Sequence, residues 1–483
     1  MKLVVQNSFC TVEGAMHPDV EQLLTQVMTY KNDIEAEKGQ LFYQLKLAKR
    51  HNNMRQFHVI KGALAKLEAN EYVCLFREQR FPTGLLNIAL EALSALQTKF
   101  ELDDRRESPG ETAILRWVNN PWEPRYYQTD MIELGLKAGR GVFEAAVGSG
   151  KSLVMAYLIK KISCNSLIVV PSRGLSGQLY RDFSEWFGSQ NVELLDAAKI
   201  RKTKRPKAIS IVTVQSLGSL VKSGEFAAFA KHIDALYVDE VHHAGASTYT
   251  SLLKDMDHVY YRYGFSGTFL RNDNKTLEMW SFLSNVLYQF PAFRAIQEGF
   301  LTPVQVYMHE MRGVPNMKYQ TEYDNAYCAN PELLEKVASI VNSYEDSQML
   351  ILVNKKDKCG LVIHEYLKSI GIDNSYISGD NDKDEINNTI RDFNEKKIRV
   401  LIGSSVIGEG IDVRSTDHLI MCQGGKSEIT MVQAAGRVLR LYEGKTEAFI
   451  HDFKFEGTRY MIKHAGEREE IYTRNFQCPI YHV

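Results

Sequence analysis

The chain has 483 residues with 58 Lys and Arg against 59 Asp and Glu, a net charge of −1, so it is no polycation and any nucleic-acid surface must be a local patch. Its 44% hydrophobic and 24% charged residues are those of a globular protein, and at roughly 100–200 residues per domain the length suggests three domains. Seven cysteines without a C-x-x-C pair argue against a zinc ribbon, an iron–sulfur cluster or a disulfide scaffold, and with no secretory signal and no membrane-length apolar run the chain reads as cytoplasmic, in a bacterium or a phage-infected host.

In chain order, residues 1–118 have the texture of a small α+β domain. Residues 3–12 are expected to form a strand, 19–50 mostly helix, 72–77 a second strand, 85–98 an amphipathic helix and 100–103 a further strand. Within it, residues 38–67 hold seven Lys and Arg, among them Lys46, Lys49, Arg50 and Arg55, and no acid. Phe42, Tyr43 and Phe57 are interleaved. A solvated helix face is the plain reading; clustered charge with aromatics favours a nucleic-acid patch.

From residue 140 to 270 short apolar runs (141–146, 166–170, 209–214, 235–239, 261–266) alternate with helical patterns such as 152–162 and 175–187, which predicts a parallel sheet covered on both faces. The first run ends in A-A-V-G-S-G-K-S, Ala145–Ser152. A glycine-rich turn between strand and helix lets backbone N–H groups converge on phosphate oxygens at a helix N-terminus. Gly148, Ser149 and Gly150 would cradle a nucleotide's phosphates, Lys151 would reach the β/γ-phosphates, and Ser152 would hold Mg2+. The strict pattern has Gly where Ala145 stands, so this is a variant. At the end of the run 235–239, Asp239 would hold the metal and Glu240 would polarise the attacking water. Residues 199–207 pack six Lys and Arg into nine positions, either a solvated loop or a duplex contact.

The same rhythm returns with strands at 348–353, 375–378, 399–403, 418–422 and 448–451 and helices at 357–369, 382–395 and 428–439, and the seam between the two units is placed at 290–313. The last helix carries Q-A-A-G-R-V-L-R, Gln433–Arg440. Arg437 and Arg440, three apart, share one side of it and are suited to stabilise charge on a γ-phosphate across a cleft. The expectation is an α/β fold of two tandem parallel-sheet lobes, residues 119–295 and 296–483, the second with a helical tail, preceded by the α+β domain 1–118.

In this order the motifs resemble those of superfamily 2 helicases and translocases. R-Y-Y-Q (Arg125–Gln128) is similar to the adenine-reading Q motif, V-P-S-R-G-L (Val170–Leu175) to motif Ia, V-T-V-Q-S-L (Val212–Leu217) to motif Ib, and D-E-V-H to motif II. S-G-T (Ser266–Thr268) is similar to motif III, I-L-V-N (Ile351–Asn354) to motif IV, G-S-S-V-I-G-E-G-I-D-V (Gly403–Val413) to motif V and Gln433–Arg440 to motif VI. The resemblance implies two RecA-like lobes with ATP and Mg2+ between them, and catalytic roles for Lys151, Asp239, Glu240, Gln433, Arg437 and Arg440, with His242 sensing motif VI. Arg125 and Gln128 would meet the base, and Gly410 and Asp412 the nucleotide and its ribose. Arg173, Thr213, Gln215, Ser404 and Ser405 would contact a nucleic-acid backbone without reading bases. Serines replace the usual threonine of motif V.

Within the superfamily the chain looks most like the XPB-type and phage UvsW-type DNA motors, which remodel branched DNA. That implies an ATP-dependent DNA helicase acting, as a monomer with no membrane attachment, in recombination, replication and repair, with movement from 3′ to 5′. An RNA helicase and a motor subunit of a restriction or nuclease complex share the same motor motifs and stay open.

Overall fold

The computed structural model describes residues 1–32, 34–51, 53–241, 255–268, 274–328, 330–404, 413 and 415–483. Two seven-stranded sheets dominate, and every pairing within them is parallel. The first has the order Val286–Phe290, Arg140–Ala145, Tyr261–Ser266, Ala235–Val238, Ser166–Val170, Ile209–Thr213, Val192–Leu195. The second has the order Ser375–Ile377, Val400–Gly403, Met349–Val353, His418–Cys422, Ala448–Glu456, Val304–Arg312, Ile480–His482. With connecting helices on both faces, these are the two RecA-like lobes of the expected α/β class.

Near-continuous apolar strands make this arrangement because each must bury both faces. In the first sheet Val142, Leu167, Val169, Val212 and Leu236 pack into one core, while Phe143, Ile168, Val170, Ile211 and Tyr237 face the other. The second sheet alternates likewise: Met349, Ile351 and Ile402 pack on one side, Leu350, Leu352 and Leu401 on the other. One cluster is common to both lobes and joins them through Leu301 and Val304. Each such aliphatic side chain contributes about 1.5–3 kcal/mol when fully buried.

Four strands of these two sheets lie outside the predicted set: Val192–Leu195, Val286–Phe290, Val304–Arg312 and Ile480–His482. Two of them flank the expected seam, so residues 290–313 are mostly not a linker. Val304–Arg312 is a nine-residue strand paired along its whole length with Ala448–Glu456. Its V-Q-V-Y-M-H-E-M-R composition mixes polar and apolar residues because it lies near the sheet edge.

The N-terminal region also departs from expectation. Residues 3–12 form two strands, Lys2–Val5 and Phe9–Glu13, paired antiparallel across a turn at Asn7 and Ser8, residue types that favour tight turns. Arg80–Pro82 and Glu101–Asp104 complete a four-stranded sheet. The expected helix over 19–50 is interrupted by Thr29–Lys31, which pairs with Tyr72–Cys74 and buries Tyr30. From this two-stranded stalk rise the helices Glu35–Arg50 and Met54–Ala69, which pack on each other through Ala48, Ile60 and Leu64 and share no residue with the body's hydrophobic clusters. The pair forms a projecting arm.

The N-terminal module is fastened to the first lobe. A Cβ on Gly84 would lie 2.0 Å from the Trp280 carbonyl oxygen, so only glycine fits there. The Ser8 hydroxyl donates to the Asp257 carbonyl at 3.0 Å and the Asn7 amide to the His258 carbonyl at 2.7 Å. Buried Arg262 donates to the Met256 carbonyl at 2.7 Å and to the Ser8 hydroxyl.

The second lobe buries more polar chemistry. His309, His451 and His418 form one row across three adjacent strands, with ring nitrogens 3.1 Å and 3.0 Å apart. Arg468, on the helix Met461–Phe476, makes a buried ion pair with Asp452 at 2.8 Å. Cys328 and Cys359 are joined in a disulfide, while the other five cysteines are free. The bonded two are 31 residues apart, and no spacing signal marks them; the Asp324–Lys355 ion pair brings their segments together. Among the described residues no helix is long and apolar enough to cross a membrane.

Candidate functional site

The glycine-rich turn sits where the strand Arg140–Ala145 meets the helix Lys151–Ile162, at the C-terminal edge of the first sheet. Gly148 (φ 85°) and Gly150 (φ 82°) are both left-handed, which a side chain disfavours. A Cβ on Gly150 would also lie 2.4 Å from the Gln128 amide nitrogen. The turn is therefore a cradle only glycine can line, with the Ser149 hydroxyl buried in it and bonded to no described atom. A cradle of this shape at a helix N-terminus fits a nucleotide's phosphates.

Lys151 and Glu240 meet across this edge. The Lys151 ammonium lies 3.7 Å from a Glu240 carboxylate oxygen and donates to the Ala145 carbonyl at 3.2 Å. The other Glu240 oxygen accepts from the Gly267 backbone N–H at 3.1 Å, tying motif II to motif III. Glu240 itself has φ 46°, a strained backbone for a residue with a side chain. Asp239 is buried, and desolvation together with the adjacent Glu240 carboxylate raises its pKa, while Lys151 opposes the shift. Ser152 follows in the first turn of the helix, so hydroxyl and carboxylate are donors of the type Mg2+ takes.

Gln128 joins the Q-motif segment to the glycine turn. Its amide oxygen accepts from the Arg125 backbone N–H at 2.8 Å and its amide nitrogen donates to the Ser149 carbonyl at 2.8 Å. It thus braces the phosphate turn. Tyr127, not anticipated, does the same through its hydroxyl at 2.9 Å while stacking on Phe290 at 3.9 Å. The Arg125 guanidinium lies over the Phe300 ring at 4.9 Å. No sequence signal marked Phe300, because it arrives from the connection between the lobes.

Motif VI reaches this turn. The helix Glu428–Val438 begins at Ser427, whose hydroxyl accepts from the Thr430 N–H. A Cβ on Gly436 would come within 2.4 Å of the Val147 Cβ, so the helix and the turn touch at that glycine. The Arg440 side chain lies along Gly148, 3.5 Å from where its Cβ would stand. Arg437 is buried and Arg440 half-buried, and desolvation lowers the Arg440 pKa. Gln433 lies on the same helix. The structure thus brings Lys151, Glu240, Arg440 and the glycine turn together from both lobes.

Behind motif VI stands a network the sequence did not reveal. Arg468 donates to both Asp452 oxygens, to the Tyr327 hydroxyl, to the Phe453 carbonyl and, at 2.9 Å, to the Gly425 carbonyl just before Ser427. Lys445 donates to the Val438 and Thr416 carbonyls, capping the helix's C-terminal end.

The expected nucleic-acid contacts divide. Arg173 and Gln215 are exposed at the starts of neighbouring helices, Arg173–Phe187 and Val214–Lys222. Thr213 is buried; its hydroxyl accepts from the Ser216 N–H as a helix N-cap and donates to the Ser216 hydroxyl at 3.1 Å, so both of its hydrogen-bonding roles are used within the helix start. Ser404 is buried as well. His242, Ser405, Gly410 and Asp412 lie outside the described residues. Lys46, Lys49, Arg50 and Arg55 are exposed on the arm, not among the residues around the turn.

Comparison with known proteins agrees with this construction. Residues 121–271 match the family described as "Type III restriction enzyme, res subunit", and residues 332–442 match "Helicase conserved C-terminal domain". The chain is 25% identical over 363 residues to helicase 22 of Sulfolobus islandicus filamentous virus, covering 68% of this chain and 64% of that protein. It is 23% identical over 388 residues to the ATP-dependent DNA helicase uvsW of Enterobacteria phage T4, covering 73% of this chain and 76% of that one. In fold it is similar to a fragment of an HsdR subunit of a type I restriction enzyme from Vibrio vulnificus, with a TM-score of 0.58 at 16% identity over 75% of this chain and 69% of that one. Two RecA-like lobes and both helicase domains in order place the chain among the superfamily 2 helicases, ATP-hydrolysing enzymes, of the UvsW and XPB type.

Proposed function

We propose that the chain is an ATP-dependent DNA motor that remodels branched DNA by junction migration, fork regression and unwinding. The observation that carries this reading is the attachment of the N-terminal module, from which the basic arm rises, to the first lobe through Gly84, Ser8 and Arg262. A motor with a second basic surface fixed to one lobe can hold one arm of a branch while the other lobe moves along a strand. The T4 relative is named an ATP-dependent DNA helicase, which favours DNA.

In this reading Lys151 binds the β/γ-phosphates, and Gly148, Ser149 and Gly150 hold them through backbone N–H groups. Ser152 and Asp239 hold Mg2+, which supplies charge neutralisation at the phosphates. Glu240 takes a proton from the attacking water, and Arg437 and Arg440 meet the charge that develops as the bond breaks. Arg125 packs against the base. Arg173 and Gln215 touch the strand's backbone. The test is the ATPase rate and unwinding on a matched panel of single strand, duplex, fork, four-way junction and RNA. Rates highest on forks or junctions are expected; equal rates on duplex and fork would remove branch recognition, and a higher rate on RNA would replace DNA by RNA.

A second reading, the motor of a restriction complex, is favoured by the match to the res-subunit family. It requires a nuclease partner, and co-purification of one that cuts DNA only with this chain present would establish it.

A further inference from the structure

Three strands at one side of the first sheet stand in register, with Val170 beside Thr213 and Val212 beside Leu195. Each runs at its C-terminal end into a helix: Arg173–Phe187, Val214–Lys222 and Ala197–Lys202. Their N-caps Ser172, Thr213 and Asp196 form a row along one edge of the lobe. The first two helices present Arg173 and Gln215, the backbone contacts proposed above. The third opens the basic stretch 199–207, which the motor motifs leave without a role.

The structure sorts its six cations into two groups. Lys199 donates to the Leu194 carbonyl at 3.1 Å, Lys207 to the Ser189 carbonyl at 2.7 Å and the Val192 carbonyl at 3.1 Å, and Arg201 pairs with Glu225 at 2.8 Å. Lys199 and Lys207 fasten the helix and its loop to the edge strand and the turn before it, and Arg201 ties the helix to the segment that follows Val214–Lys222. Lys202, Lys204 and Arg205 are exposed and have no acidic partner among the described residues. Three structural cations thus leave three others exposed to solvent, a local concentration of positive charge suited to a polyanion.

We propose that Lys202, Lys204 and Arg205 grip the phosphates of a DNA duplex flanking the strand on which the motor moves. This rests on the DNA-motor reading above and adds a duplex to its footprint. A single strand is disfavoured because such sites stack bases on aromatic rings, and residues 196–209 contain no Phe, Tyr or Trp. Duplex phosphates need only cations, and cations at this position bind them without reading sequence.

The test compares the full-length chain with the triple variant Lys202→Gln, Lys204→Gln, Arg205→Gln on two probes: an oligo-dT single strand, and the same strand joined to a hairpin duplex at either end. Affinity is measured against salt. Each lost phosphate contact makes the slope of log K on log salt shallower by about 0.9, so the variant's slope on the duplex-bearing probe is expected to flatten by about 2 to 3, with a loss of roughly tenfold or more at physiological salt. Lys137→Gln, Lys160→Gln, Lys161→Gln, which removes the same charge elsewhere on the lobe, is expected to keep the wild-type slope. An unchanged slope in the first variant, equal flattening in both variants, or flattening on oligo-dT alone would overturn the proposal. Absence of any DNA-stimulated ATPase in the wild type would instead sink the motor reading beneath it.

Discussion

The two lobes repeat one sheet topology and place their buried polar groups differently. The first lobe keeps charged groups toward the ends of its strands: Arg140 and Arg262 near their starts, on the side of the N-terminal module, and Lys151, Asp239 and Glu240 at the C-terminal edge beside the glycine turn. The second lobe threads polar groups through its interior: the His309–His451–His418 row and the Arg468–Asp452 pair. The difference follows from what each lobe must hold still. A phosphate cradle is made of backbone and needs only a turn of fixed shape. Arginines reaching across a cleft sit at the end of a helix, and that helix is aimed by whatever grips its two ends, here Arg468 through Gly425 and Lys445 through Val438. Buried hydrogen-bonded networks specify orientation more sharply than apolar packing does.

The strongest way to probe this contrast is to remove one charge from each lobe. Arg440→Ala is expected to keep nucleotide binding and lower kcat about 10³–10⁵-fold, as arginines acting on a transferring phosphoryl group do. Lys151→Ala is expected to lose binding as well as hydrolysis, so nucleotide affinity separates the two. Glu240→Gln should bind ATP normally and turn over about 10²–10⁴-fold more slowly; a wild-type rate in that variant refutes its role as base. Next in size, Arg468→Met leaves Asp452 buried without its partner and should destabilise the second lobe by about 3–5 kcal/mol, read as a lower unfolding midpoint for that lobe alone. Gly436→Ala places a methyl against Val147; overpacking of about 1–3 kcal/mol at this contact between the lobes predicts a loss of kcat of roughly 5- to 150-fold with the fold intact, partly regained in the double variant with Val147→Gly.

The smallest expected effect is on acid stability. Burial holds His309 and His418 down to about 4 and His451 to about 2, against an ordinary value of 6.5. Lys336 adds to the shift at His309 and Lys445 to that at His418, while Asp452 and Asp417 oppose it. Groups whose folded pKa is depressed bind protons more readily when unfolded. Their contribution to stability is therefore full above 6.5 and is lost as pH falls toward about 4. The second lobe should soften in that window before the first does, and an unfolding midpoint that stays level across it would remove the histidine row from the account.

Local chemistry was legible in the amino-acid order because it depends on short segments. The glycine turn, the Asp239–Glu240 pair and the helix bearing Arg437 and Arg440 each lie within a dozen residues, and apolar runs alternating with helical patterns announced two parallel sheets. What depended on partners distant in sequence was not legible. The strand Val304–Arg312 is recognisable only beside Ala448–Glu456, and the break at Thr29–Lys31 only beside Tyr72–Cys74. Thr213 looked like a backbone contact until its helix claimed the hydroxyl.

Sequence alone therefore determined the reaction, since phosphate-binding turns and carboxylates at strand ends are built from neighbours along the chain. Tertiary structure decided how the lobes meet and what aims the arginines: the close passage of Gly436 over Val147, the brace of Gln128 and Tyr127 under the turn, and the fastening of the arm. Those contacts join residues up to several hundred positions apart, and no periodicity or spacing encodes which distant surfaces pack together.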